Sequence, residues 1–357
     1  MDVPREIDHD RRRFLAGATM TITGAILGAF GKAHANARGP HEFEAIAGAT
    51  EWLNSPALTQ ENLAGKVVVV DFCTYTCINW LRTLPYRRAW AKKYRQGFVL
   101  IGVHTPEFSF EHDPDNVRRA LRQMKVEYPI VIDNDYAIWR AFKNNYWPAL
   151  YFVDARGRVV DHHYGESDYE QSEKRIQRLL GEAGVAQSVE GGVSYAANGV
   201  EAAADWSSLR SPENYLGHEK TERFSSVGGT VDDRPHVYVA PQRLPLNEWA
   251  LMGEWTLGRE ASVLSKPGGR IAYRFHARDV NLVMGAARGG SPVHFRVSLD
   301  GKPPGAAHGI EVDEAGNGTV SEPRLYQLIR QPKGFGDRVF EIEFRDAGVG
   351  AFSFTFG

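Results

Sequence analysis

Val67-Val68-Val69-Val70-Asp71-Phe72-Cys73-Thr74-Tyr75-Thr76-Cys77-Ile78-Asn79-Trp80 decides how the first half of this chain is read. Four β-branched residues in a row, continued by Asp71 and Phe72 without a polar alternation, describe a strand buried on both faces, as in the middle of a parallel sheet. From Ile78 to Tyr94 the apolar residues Leu81, Leu84, Ala89, Trp90 and Tyr94 recur at helical spacing, so a helix follows the strand. The two cysteines of the chain bracket this junction: Cys73 falls at the strand end and Cys77 at the helix start. Unpaired N–H groups and the helix dipole favour an anionic sulfur at a helix N-terminus, which makes Cys77 the first candidate nucleophile. The bland reading, two buried apolar cysteines, applies to an arbitrary pair.

The surrounding pattern argues against the bland reading. V-D-F-x-x-x-x-C resembles the thioredoxin active-site strand, in which an aspartate placed as Asp71 is to Cys77 serves as proton acceptor, and Pro85 stands where that family kinks its active-site helix. A thioredoxin would continue C-x-x-C, whereas Cys77-Ile78-Asn79-Trp80 puts an indole at the resolving position. Three readings follow: a monothiol nucleophile, a shifted Cys73/Cys77 redox pair, or a thioredoxin fold without redox chemistry.

The rest of the first half fits the same architecture. Gly97 to His104 reads as a second buried strand, Asn116 to Val126 as a helix and Tyr128 to Ile132 as a short strand. Ala137 to Phe142 makes a helical turn or two. Leu150 to Asp154 and Arg158 to Tyr164 form a hairpin around Ala155-Arg156-Gly157, and Asp168 to Leu180 closes the unit as a helix. Two further stretches are expected at the same rim. Tyr146-Trp147-Pro148-Ala149 stands where thioredoxin-like proteins keep a cis-proline facing the nucleophile. His104 ends the strand beside the cysteine strand, which makes it a candidate acid or base. Thr74 and Tyr75 complete the expected surroundings of Cys77, with Trp80, His104, Trp147 and Pro148.

At 357 residues with a formal net charge of −2, the chain is long enough for two packed domains and gives no electrostatic reason to bind nucleic acid. Two cysteines make no disulfide scaffold. Arg11-Arg12-Arg13-Phe14-Leu15, an apolar run to Phe30 and Ala33-His34-Ala35 match a twin-arginine export signal with its cleavage site. The expected destination is the periplasm or another extracytoplasmic space.

Together, D-F-C-T-Y-T-C-I-N-W-L-R-T-L-P-Y, G-V-H-T-P-E-F, Y-W-P-A and Y-G-E-S-D-Y resemble the extracytoplasmic part of DipZ proteins, which are TlpA-like thiol-disulfide oxidoreductases. In that family the Cys73 position normally holds tryptophan and the Trp80 position cysteine. The resemblance continues through S-P-E-N-Y-L-G, R-P-H-V-Y, L-N-E-W-A-L-x-G-E-W and R-L-Y-Q-L-I-R-Q-P. It implies a protein thiol or disulfide substrate and a separate membrane electron donor. It also implies a C-terminal jelly roll like carbohydrate-binding modules, with glycan as an expected ligand.

Composition and alternation support that second domain. Ile271, Tyr273 and Phe275 share one strand face, as do Phe295, Val297 and Leu299, then Phe340, Ile342 and Phe344, then Phe352, Phe354 and Phe356. The expected organisation is a signal peptide over 1–35, an α/β thioredoxin-like domain over 36–187 and a linker over 188–205. An all-β jelly-roll or β-sandwich domain over 206–357 completes it. Trp206, Trp249 and Trp255 are read as core residues before sugar platforms, and Asp313 to Gly318 as a solvated loop lacking EF-hand ligand spacing.

The expected activity is thiol-disulfide exchange or thiol peroxidation by Cys77, with Asp71 as proton acceptor and Cys73 as resolving thiol. Thr74-x-x-Cys77 matches the T-x-x-C core of peroxiredoxins, without the preceding proline. A non-catalytic binding module and Cu(I) held between Cys73 and Cys77 are the competing readings. No resident cofactor or metal is expected.

Overall fold

The structure is a computed structural model that describes residues 41–49, 51–185, 192–195, 197–286, 290–332 and 336–357. The export signal lies outside these residues, as do residues 188–191 of the expected linker. Among the described residues no helix is long and apolar enough to cross a membrane. The chain divides into two compact units between Tyr195 and Ala196.

In the first unit the elements run α1 (His41–Ala47), β1 (Trp52–Leu53), α2 (Gln60–Leu63), β2 (Val67–Cys73), α3 (Ile78–Lys93), β3 (Phe98–His104) and α4 (Pro114–Gln123). They continue with β4 (Ile130–Ile132), α5 (Ala137–Ala141), β5 (Ala149–Val153), β6 (Val159–Tyr164) and α6 (Tyr169–Glu182). The sheet order is β1-β4-β3-β2-β5-β6. The strands β2, β3 and β4 are parallel, while β5 runs antiparallel to β2 and β6 to β5. This is the mixed sheet of a thioredoxin-like α/β fold.

Every residue of β2 is buried, which accounts for its unbroken apolar run. Val68, Val70 and Phe72 join Ile101, Val103, Trp139, Phe142 and Tyr151 in one core cluster. Each such side chain contributes about 1.5–3 kcal/mol on burial. By alternation, Asp71 and Cys73 point to the opposite face, where α3 supplies Trp80 and Arg87. A valine strand thus carries a carboxylate and a thiol into the interior beneath the helix that begins at Cys77.

The second unit is all-β. Its strands are β7 (Asn214–Tyr215), β8 (Pro235–Tyr238), β9 (Trp249–Leu257), β10 (Ser262–Leu264), β11 (Arg270–Phe275), β12 (Asp279–Ala286), β13 (Val293–Leu299), β14 (Asn317–Val320), β15 (Arg324–Arg330), β16 (Arg338–Phe344) and β17 (Val349–Phe356). One layer runs β14-β13-β16-β11-β9 and the other β9-β10-β17-β12-β15. The long strand β9 serves both: Trp249–Met252 pair with β11, and Trp255–Leu257 with β10. Gly253 lies between these halves at φ +92°, and a Cβ there would meet Gly269 Cα at 3.0 Å, so the bend that turns the strand from one layer to the other needs glycine. This curled, doubly layered sheet is the expected β-sandwich.

Three expectations meet their structural outcome here. Trp249 and Trp255 are fully buried and donate their indole N–H groups to Glu222 O and Met252 O, so they are core residues. Trp206 is 47% exposed. Phe354 and Phe356 sit in the core cluster but Phe352 does not, because the β12–β17 register shifts so that Val283 faces Ser353 while Met284 faces Ala351. Phe352 is the extra residue of that bulge, and it breaks the alternation the sequence suggests. Within 188–205, Val193 N–H donates to Glu173, while Gly199 O and Ala203 O accept from Arg330 and Arg278.

Candidate active site

Cys77 is the N-cap of α3, with extended backbone (φ −73°, ψ 111°) and no side-chain capping hydrogen bond. Its carbonyl accepts from Leu81 N–H at 2.9 Å and its own N–H donates to Thr74 O at 3.2 Å. The first-turn N–H groups are therefore not taken by the cap side chain, an arrangement that suits an anionic sulfur. The thiol is half-buried and lies 4.0 Å from Trp147 O. The Trp147–Pro148 peptide bond is cis. Trp147 packs on Trp139 at 4.3 Å between ring centroids, and Tyr146 on Tyr164 at 4.7 Å, so an aromatic wall adjoins this turn.

Cys73 is different in every respect. It is fully buried, and its Sγ lies 3.4 Å from Val103 O. Burial, then the negative charge of Asp71, pushes its thiol well above the ordinary range. Cys73 Sγ lies against Val103 O of β3 and Cys77 Sγ near Trp147 O of the turn before β5, and the charge of Cys77 adds to the upward push on Cys73. No disulfide joins Cys73 and Cys77. A Cys73–Cys77 bridge would take Cys73 Sγ away from Val103 O.

Trp80, the residue at the resolving position, is fully buried and donates Nε1–H to Asp71 Oδ2 at 3.0 Å. On the other side, Arg87 Nε lies 3.4 Å from Asp71 Oδ1, an ion pair without hydrogen-bond alignment. Burial raises the Asp71 pKa, while the Arg87 charge and the Trp80 hydrogen bond pull it back. The expected proton acceptor is thus an internal carboxylate held by two groups of α3. The Arg87 guanidinium also lies over the Trp90 ring, 5.0 Å from its centroid.

His104 is in register with Cys73 and stacks on Tyr75, with centroids 5.8 Å apart. It is completely buried, which lowers its pKa to about 3. The imidazole is neutral near neutral pH and packs under the loop as an aromatic, which does not suit a proton shuttle.

Sequence reading missed Thr76, Arg87, Glu111, Arg82 and Glu166. Thr76 Oγ1 donates to the buried Glu111 at 2.6 Å, and the other Glu111 oxygen accepts from the N–H groups of Glu107 and Phe108. This ties the loop between the cysteines to the segment after β3. Arg82 and Glu166 form an ion pair at 2.9 Å with only 2% and 3% of their side chains exposed. Isolated charged residues in a helix and in a polar loop carry no signal of such pairing. The nearest hint was the apolar company of Arg82 and Arg87 in L-R-T-L-P-Y-R-R-A-W.

Asp133, at the end of β4, accepts from the backbone N–H groups of Ile138 and Trp139 and from Thr105 Oγ1. Burial nevertheless pushes its pKa up to about 6. A raised carboxylate pKa means that the folded state holds a proton the unfolded chain has released, so this group's contribution falls as pH rises from about 4 to about 6. Asp133→Asn should flatten that decline, worth roughly 2–3 kcal/mol, in urea unfolding measured between pH 4 and pH 7. An unchanged pH slope would remove Asp133 from the account.

Among the described residues no group of three or more histidine, cysteine, aspartate or glutamate side chains is placed to hold a metal ion. The fold, the strand-end cysteine pair and the helix-capping Cys77 against a cis-proline turn define the class: the chain is a thioredoxin-fold protein, similar to thiol-disulfide oxidoreductases. Residues 211–357 match the family described as thioredoxin like C-terminal domain. Protein DipZ of Mycobacterium bovis and of Mycobacterium tuberculosis are each 33% identical over 321 residues, covering 87% of this chain and 42% of their own length. The thiol-disulfide oxidoreductase YkuV of Bacillus subtilis is 27% identical over 137 residues, 38% of this chain and 93% of that protein. A solution structure of a thioredoxin-like protein in the oxidised form, 30% identical, covers 37% of this chain and 88% of its own, with a TM-score of 0.35. More particularly, the chain is a DipZ-like protein, and it spans less than half the length of the DipZ proteins it matches.

Proposed function

We propose that this chain is an extracytoplasmic thiol-disulfide oxidoreductase that works through Cys77 alone. The observation that carries the reading is the contrast between the two thiols together with Trp80. Cys77 is half-buried at the start of α3, Cys73 is sealed in the interior, and the resolving position holds an indole bonded to Asp71.

In this reading the Cys77 thiolate attacks one sulfur of a protein disulfide R–S–S–R′. The S–S bond breaks, R′–S⁻ leaves and takes a proton from water, and Cys77 carries R as a mixed disulfide. In this reading Cys73 stays in the interior and does not displace R. An external thiol therefore attacks the mixed disulfide, releasing Cys77 and forming a new disulfide with R. A separate electron donor supplies that thiol, and the twin-arginine signal delivers the chain to the compartment where disulfides persist. Asp71 supports α3 from beneath through Trp80 and Arg87.

Thiol labelling and exchange test this reading together. Native protein should lose only Cys77 to iodoacetamide near neutral pH, with Cys73 labelled at least about 100-fold more slowly, because the reactive thiolate must be both formed and reachable. Cys77→Ser should abolish exchange with oxidised glutathione, while Cys73→Ser retains it. Loss of exchange in Cys73→Ser would overturn the monothiol reading and point to the shifted pair.

A further inference from the structure

We propose that the buried Arg82–Glu166 pair is a positioning device that holds Cys77 at a fixed distance from the Trp147–Pro148 turn. The inference rests on Cys77 being the exchanging thiol. Arg82 lies in the second turn of the helix that Cys77 caps. Glu166 lies just after β6, and the intervening Gly165 donates its N–H to Pro148 O at 2.8 Å. The pair therefore ties together two segments, the helix that carries the sulfur and, through Gly165, the turn whose carbonyl faces it at 4.0 Å, and these are the two walls between which a substrate would sit.

The local backbone supports this purpose. Gly165 (φ +84°), Ser167 (φ +107°) and Asp168 (φ +46°) all adopt left-handed conformations. For serine and aspartate these are unfavourable and persist only where the surroundings impose them. The effect of this path is to bring Glu166 inward onto Arg82 before α6 begins. A surface loop needing only to link β6 and α6 has no reason to bury a carboxylate. A buried ion pair is also a poor device for stability alone, since well-packed apolar residues of similar volume commonly do as well or better. What it adds is direction, because a charged hydrogen bond has a narrow optimum of length and angle.

The test compares the full wild-type chain with Glu166→Gln and with the apolar pair Arg82→Met/Glu166→Leu. Two reactions of Cys77 are read: alkylation by iodoacetamide, which needs only the sulfur, and exchange with oxidised glutathione, which needs the substrate seated between both walls. Misplacement of reacting groups by about 1 Å costs on the order of a hundredfold in rate, so a partial loosening should cost exchange about tenfold. The expected result is that both variants keep the wild-type circular dichroism spectrum, alkylate within about twofold of wild type and exchange about tenfold more slowly. Wild-type exchange in the apolar pair would overturn the proposal and leave the ion pair as a structural tie. Parallel loss of alkylation, exchange and fold in Glu166→Gln, with a fully active apolar pair, would overturn it in the same way. A wild-type chain that alkylates but does not exchange would instead refute the exchange activity itself, and the positioning role with it.

Discussion

Trp80→Cys should give the chain a reversible two-electron couple between Cys77 and the new cysteine. Positions 77 and 80 are the cap and third residue of α3, and residues three apart on a helix have Cβ atoms about 5–6 Å apart. A disulfide needs a Cβ separation of about 3.5–4.5 Å, a closure that the extended backbone of the cap can absorb. Cys73 cannot take this role without leaving its place beside Val103. The substitution also has a cost. It removes a fully buried indole and the hydrogen bond to Asp71, and large-to-small changes of this kind cost about 3–5 kcal/mol. The expected variant is thus less stable when reduced, forms an internal disulfide in a glutathione redox titration, and loses that couple when Cys77 is also replaced by serine. A Trp80→Cys protein that folds yet shows no titratable couple would mean that Cys77 is not poised as the geometry indicates.

Arg87→Met is the second large effect. Arg87 is buried beside Asp71, and its charge opposes the burial that raises the carboxyl's pKa. Removing one partner of a buried ion pair leaves an uncompensated charge and costs about 3–5 kcal/mol. The pH dependence has a definite sign. Without Arg87 the Asp71 pKa rises further, so the folded state holds its proton to higher pH and the penalty grows as pH rises through that value. The variant should therefore be closest to wild type at acid pH and furthest from it in alkaline solution. Adding Asp71→Leu should recover most of the loss, because the orphaned charge is removed. Urea unfolding at pH 5 and pH 8 measures both effects. A loss that does not depend on pH would show that Arg87 contributes through packing on Trp90 and not through Asp71.

The predictions differ in what they probe. Trp80→Cys asks whether Cys77 can take part in dithiol chemistry, Arg87→Met asks what the carboxylate beneath it does, and the Arg82–Glu166 variants ask what sets the distance to the substrate wall. The thiol comparison underlies the first and the last, since both assume that Cys77 is the exchanging thiol; the Arg87→Met result stands apart from it.

Much of this architecture is local and was legible in the residues themselves. Four valines in a row, continued by Asp71 and Phe72, read as a doubly buried strand, the apolar spacing after Ile78 starts the helix at the second cysteine, and period-two alternation in the second half marks a β-sandwich. Such features depend on neighbours a few positions away, which the sequence displays directly. What the tertiary structure decided depends on partners far apart in the chain. That Cys73 turns to Val103, that Trp80 and Arg87 hold Asp71, and that Arg82 meets Glu166 follow from which strand lies on each side of β2 and which helix face is pressed upon it. The bulge that displaces Phe352 from the core is of the same kind, set by the register between β12 and β17 and not by the alternation within either strand. Periodicity records which faces are buried, but a buried charge or thiol takes its meaning from the group opposite, and only the folded chain brings that group into place.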